Sequence, residues 1–209
     1  MQEKISQYLE ERRGIHKKSG SVGLLTLNER IQFPALCQGN GDMIIAGSNS
    51  LRGIYSITTT FDGVDILGTV TLLTSYMDQW KDVSALALSG DKLAICTDGI
   101  IYLHTLSQGT TEVVNGPNRF PVSSKTTNLA FLGDDIVYCE GHCVKMINSG
   151  VVSVISGSDS AGDSDGSVPK LCQPLGTWVE FDRNVYLTDS GSGSIKLINR
   201  PMKGMAEFL

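Results

Sequence analysis

The sequence has no apolar run near the roughly 18 residues that a membrane-crossing helix requires, so no helical span and no membrane partner is expected. Histidines are scarce: His16, His104 and His142 are all there are. No Gly-x-Ser-x-Gly elbow, phosphate-binding glycine loop or metallopeptidase helix motif occurs. The common sequence-readable forms of hydrolase and nucleotide chemistry are therefore missing. Met1-Gln2-Glu3-Lys4 opens a polar stretch without a secretory signal, and there is no Asn-x-Ser/Thr site. Five cysteines (Cys37, Cys96, Cys139, Cys143, Cys172) are scattered and odd in number, which speaks for reduced thiols rather than a disulfide framework. Together these point to an intracellular, cytoplasmic protein. Helical periodicity is also absent after residue 33.

What is present is ordinary globular composition, 41% hydrophobic and 19% charged, enough for one core or a repeat array. The net charge of −5 is unevenly spread. Residues 1–32 hold six basic and four acidic side chains, whereas the remainder holds eleven basic and eighteen acidic ones. Binding to nucleic acid draws on Lys and Arg to neutralise phosphates, and the acidic remainder is poorly suited to that.

Four short turns recur, each followed by an apolar strand: GDMIIAGSN from Gly41, GDKLAICTDG from Gly90, GDDIVYCEGH from Gly133 and FDRNVYLTDSG from Phe181. An apolar stretch precedes each turn, and a second turn and a third strand follow. Most units end in a fourth apolar piece, such as Val151 to Ile155. Gly, Asp, Asn and Ser suit the turns because they tolerate positive φ or bond to their own backbone. Val, Ile, Tyr and Thr suit a pleated, half-buried surface. Units of four antiparallel strands repeating every 40–50 residues or so are β-propeller blades. The expected fold is all-β, with blades at 33–70, 83–115, 127–156 and 174–209 after a helical N-terminal segment over 1–32.

The last unit carries a more specific pattern. Asp165-Gly166, then Pro174-Leu175-Gly176, Tyr186, Asp189-Ser190-Gly191 and Ile195 together resemble the NHL repeat over residues 157–198. Ser192 stands where that family usually has Asn, and Ser194 where it has Arg before the isoleucine. The resemblance implies a β-propeller of NHL type. Such propellers usually have more than four blades, so it also implies an incomplete ring or a piece of a longer chain. An open ring would expose apolar residues among Leu36, Ile44, Ile45 and Ile57 in the first blade. In the last, the exposed set would come from Trp178, Val179, Leu187 and Leu197. Asp189, closing a strand before Ser-Gly, is read as a turn cap that accepts backbone N–H groups.

In the first 32 residues, Ile5, Tyr8 and Leu9 have helical spacing, and Val22 to Ile31 suits a second helix or an edge strand. The segment resembles a SAP-type DNA-binding hairpin, in which Lys17 and Lys18 would meet phosphate. Cys139, His142 and Cys143 form the one soft-ligand cluster, but a structural zinc needs a second pair that the neighbourhood lacks. The loop DSAGDSDGS is similar to a calcium loop, yet Ala161 and Cys172 occupy the positions of its first and last carboxylates. It reads instead as a flexible connection. No cofactor and no metal is expected. The family resemblance favours a non-catalytic scaffold that binds a protein or peptide through a propeller rim. Two alternatives stand beside it: nucleic-acid binding through the N-terminal segment or a propeller patch, and a hydrolase or lyase with a central-channel site.

Overall fold

The computed structural model describes residues 35–39, 43–48, 53–61, 66–74, 83–114, 126, 128–180 and 184–199. The helical segment expected over 1–32, with its SAP-like hairpin, lies outside them. Every regular element among the described residues is a β-strand.

The chain divides into two units, Met1–Val83 and Ser84–Leu209. The first contains one antiparallel sheet of β1 (Ala35–Gln38), β2 (Met43–Ser48), β3 (Gly53–Phe61) and β4 (Ile66–Leu72), paired in chain order. Ile54, Tyr55 and Ile57 of β3 are buried, whereas Leu36 on the outer strand is exposed.

Among the described residues, the second unit holds three sheets. The first comprises β5 (Val83–Ser89), β6 (Lys92–Thr97), β7 (Ile100–Thr105) and β8 (Thr110–Val113). The next comprises β9 (Leu129–Leu132), β10 (Asp135–Glu140), β11 (Cys143–Asn148) and β12 (Val151–Gly157). The last comprises β13 (Pro174–Glu180), β14 (Asn184–Asp189) and β15 (Ser194–Asn199). All neighbours pair antiparallel, each strand with the next in sequence. Such meanders follow from turns too short for a crossover. The β6–β7 hairpin turns at Asp98-Gly99, both at positive φ (48° and 71°), the backbone that a two-residue hairpin requires.

Burial explains how the sheets stack. In β10, the run Ile136-Val137-Tyr138-Cys139 is buried on both faces. Ile136 and Tyr138 join Ala85, Ala94, Cys96 and Ile101 of the preceding sheet in one apolar cluster. Val137 and Cys139 join Val185 and Leu187 of the following sheet in another, with Leu171 between. Each fully buried aliphatic side chain contributes about 1.5–3 kcal/mol, so these two layers hold the unit together. In β14 burial alternates instead: Val185 and Leu187 are buried, while Tyr186 and Thr188 are not. A strand covered on one face needs apolar residues only at every second position. The last sheet therefore has a covered face and a free one.

Candidate binding face on the last sheet

The free face is set by cross-strand register. Trp178 lies opposite Tyr186, which lies opposite Leu197. The adjacent row runs Gly176, Thr188, Ile195, and the row beyond it Glu180, Asn184, Asn199. Side chains directly opposite one another on one face are neighbours, so these nine positions form one surface. Trp178 is 60% exposed, Leu197 50% and Ile195 77%. The Trp178 and Tyr186 rings are 5.6 Å apart between centroids and tilted by 42°, an ordinary attractive aromatic geometry. The Tyr186 hydroxyl donates to Glu180 Oε2 at 3.1 Å, and Asn184 Nδ2 donates to the same oxygen at 3.5 Å. That hydrogen bond to Glu180, with burial and the carboxylate's charge adding to it, raises the Tyr186 phenol above its ordinary value. The result is an apolar aromatic ridge with a polar, hydrogen-bonded border on one side.

The opposite side of the sheet is fixed by polar anchors. Asn128, just before β9, accepts from the Thr177 N–H at 2.8 Å and from the Thr177 hydroxyl. Asp189 is fully buried, and its two carboxylate oxygens take the Cys172 N–H at 2.8 and 3.0 Å. Ser192 Oγ donates to Asp189 Oδ2 at 2.9 Å. The expected turn cap is thus a longer-range clasp, since the N–H that Asp189 accepts comes from the connection before β13 rather than from its own turn. Ser190 Oγ donates to the Gln173 carbonyl at 2.7 Å, and the Gly191 N–H to the Cys172 carbonyl at 2.6 Å. A Cβ at Gly191 would overlap the Cys172 sulfur and carbonyl oxygen, so only glycine admits this approach.

The residues of the sequence motif separate into three places. Pro174, Asp189, Ser190 and Gly191 meet at this clasp, with Pro174 paired opposite Asp189. Gly176, Tyr186 and Ile195 sit on the free face, where the Gly176 N–H donates to Thr188 Oγ1 at 3.0 Å. Asp165 and Gly166 lie on the connection between β12 and β13. That connection is anchored along its length, where a flexible one was expected. Leu171 is buried in the core, Ser164 and Lys170 bond to each other, and Lys196 Nζ reaches Asp163 at 2.6 Å and Asp165 at 3.1 Å. A groove of about 650 Å³ lies between this connection and β15, lined by Asp163, Asp165, Leu171, Lys196 and Ile198 among others.

The soft-ligand cluster does not converge. Cys139 is cross-strand to Val144 and Cys143 to Glu140, so the two thiols point to opposite faces of their sheet. His142 Nδ1 accepts the Gln173 N–H at 3.3 Å. Burial pushes the Cys139 thiol up to about 12, and burial likewise raises Cys143. Among the described residues, no group of three or more His, Cys, Asp or Glu side chains is placed to hold a metal ion. His104 is buried, with Nδ1 2.8 Å from Thr111 Oγ1.

Sequence reasoning missed Lys196, Asp163 and Asn128. Their partners lie 31 to 49 residues away, beyond the reach of local pattern.

No protein-family model and no curated protein matches the chain. Among solved structures it is similar to virginiamycin B lyase from Staphylococcus aureus, crystallised with quinupristin, at 15% identity and a TM-score of 0.54. That match covers 86% of this chain and 59% of the lyase. It is also similar to an auxiliary nutrient binding protein from Bacteroides thetaiotaomicron VPI-5482, at 13% identity and a TM-score of 0.57, covering 78% of this chain and 46% of that one. The chain thus spans under two thirds of either neighbour's length. At these identities the likeness shows the fold alone: the described residues are all-β, in antiparallel sheets, with β-propeller-like neighbours.

Proposed function

We propose that the chain is a non-catalytic interaction scaffold of NHL type, which binds a protein partner on the free face of its last sheet. The observation that carries this reading is the row Trp178–Tyr186–Leu197, in which a half-buried Tyr186 lies between exposed Trp178 and Leu197, with exposed Ile195 beside it. Contiguous exposed apolar surface on a soluble fold marks an interaction site, and Trp and Tyr are the side chains that most often anchor protein interfaces. The row belongs to a sheet held rigid from behind by Asp189 and Asn128, so the anchors are pre-positioned. Of the nine residues on this face only Glu180 is charged, and it is occupied by Tyr186 and Asn184. An apolar protein surface fits that chemistry better than phosphates do. Nucleic acid is disfavoured further by the acidic balance of residues 33–209. The likeness to a lyase supports the fold of this proposal and not a reaction. A reducing, intracellular setting is part of the proposal, supported by five free cysteines.

The test is comparative affinity capture with the full chain and its Trp178→Ala/Leu197→Ser double variant. Proteins retained by the first and lost by the second are then purified and titrated. The reading expects at least a tenfold weaker Kd for the double variant, and an unchanged Kd would overturn it.

A further inference from the structure

At the entry to β13 the main-chain N–H and carbonyl groups of Cys172 and Gln173 all have partners. Most of these partners belong to the end of β14 and the turn after it. Asp189 accepts the Cys172 N–H at 2.8 and 3.0 Å, and the Gly191 N–H donates to the Cys172 carbonyl at 2.6 Å. Ser190 donates to the Gln173 carbonyl through Oγ at 2.7 Å and through its N–H at 3.2 Å. The remaining bond comes from another sheet. The Gln173 N–H donates at 3.3 Å to Nδ1 of His142, 31 residues upstream in the β10–β11 turn.

That bond fixes the state of the ring. A main-chain N–H can only donate, so Nδ1 presents its lone pair and the neutral ring carries its proton on Nε2. Gln173 is held at φ 59°, a left-handed backbone that a residue other than glycine adopts at a cost. The turn that carries the ring is fixed as well. A Cβ at Gly157 would overlap the His142 carbonyl oxygen, so the end of β12 closes on it. The charged groups nearby are Glu140 and Lys145 on the same hairpin, paired with each other, and Asp159 on the connection after β12, whose charge acts on Cys143. On the side of the last sheet stands buried Asp189, with Cys172 beside Gln173. Carboxyls as a class change charge near about pH 4 and thiols near about pH 8.5, whereas an imidazole does so near about pH 6.5. Histidine is thus the residue type at this junction that answers to mild acid.

We propose that His142 and Gln173 form a proton-sensitive latch between the sheet of β9 to β12 and the last sheet. The neutral ring holds the Gln173 N–H. Uptake of a proton puts an N–H on Nδ1, so two donors face each other and the bond is lost. Gln173 then keeps Ser190 but gives up its tie to the neighbouring sheet, and its left-handed backbone loses one of the contacts that hold it. Mild acid therefore loosens the entry to β13, while the Asp189 clasp beside it stays closed. The charge change is on the ring, and the element it biases is the strained peptide before β13. The inference rests on this hydrogen bond and the strained backbone, not on the binding role of the free face.

The experiment follows the Gln173 amide of the full chain by nuclear magnetic resonance, as protection against hydrogen exchange relative to the intrinsic rate at each pH. The parent chain is compared with His142→Asn, whose side-chain oxygen takes the place of Nδ1 as an acceptor and does not titrate; both chains share His16 and His104. Between about pH 7.5 and about pH 5.5, protection of Gln173 should fall roughly tenfold or more in the parent and stay level in His142→Asn. The Cys172 amide, held by Asp189, should stay level in both. Equal Gln173 protection at the two pH values in the parent, or an equal fall in both chains, would overturn the proposal. A second readout needs no variant. In the parent, the Gln173 amide proton should shift with the same pH midpoint as the carbon-bound protons of the His142 ring. Separate midpoints, or a Gln173 amide that does not move, would overturn it too.

Discussion

The Asp189 carboxylate grips the main-chain N–H of Cys172, 17 residues upstream, with both oxygens, at 2.8 and 3.0 Å. This contact ties the end of β14 to the connection that precedes β13. Removing the carboxylate strands the half-buried Cys172 N–H, while the Ser192 hydroxyl keeps the Asp189 carbonyl and Ser194 Oγ as partners. Asp189→Ala should therefore destabilise the fold by about 1–3 kcal/mol, read as a lower urea midpoint at unchanged slope.

Gly191→Ala should cost at least as much, because the added methyl meets the Cys172 sulfur and carbonyl with no room to turn away. An overpacked site of this kind loses about 1–3 kcal/mol. Gly109→Ala is the contrast: its Cβ would meet nothing within 4 Å, so the cost there is backbone strain at φ 64° alone. If the two variants unfold at the same urea concentration, the close approach at Gly191 is not what restricts it.

Trp178→Ala separates binding from stability. The side chain is 60% exposed and its ring contact is with Tyr186, so its loss should cost no more than about 0.5–1.5 kcal/mol. Partner binding should fall at least tenfold in the same variant. A large drop in thermal midpoint with partner affinity intact would invert the assignment.

His104 gives a pH dependence. Burial holds its ring below the ordinary histidine value, against a smaller opposing pull from Asp91, so the folded state favours the neutral form. Unfolding then takes up a proton once pH falls below roughly 6.5. The stability contributed by the neutral ring is full above that value and declines as pH drops toward the folded value. The parent chain should thus lose more stability between about pH 7 and pH 5 than His104→Gln does. Parallel stability curves for the two would show that His104 titrates alike in both states.

What was legible in the sequence was whatever repeats locally. The apolar strands and the turns between them recur in each unit, and in β14 the pleat then sets Val185 and Leu187 on one face and Tyr186 and Thr188 on the other. Recurring Gly-Asp turns located the hairpins of β5–β6 and β9–β10. Trp178 and Leu197 came out exposed, but Leu187, from the same expected set, is buried because the preceding sheet covers its face. Which face of a strand is covered depends on a neighbour 40 or more residues away, and local periodicity carries no record of that. For the same reason the Asp189 clasp, the Asn128–Thr177 anchor and the Lys196 pairing with Asp163 and Asp165 were invisible until the chain was folded.

The most direct test of the binding face is hydrogen exchange on the full chain, alone and saturated with the partner recovered through the Trp178 comparison. Binding should slow exchange in β13, β14 and β15, within residues 176–199, while the β6–β7 and β10–β11 turns at Asp98-Gly99 and Gly141-His142 stay unchanged. Protection confined to those turns, with none in β13 to β15, would contradict the account and move the interface to another surface.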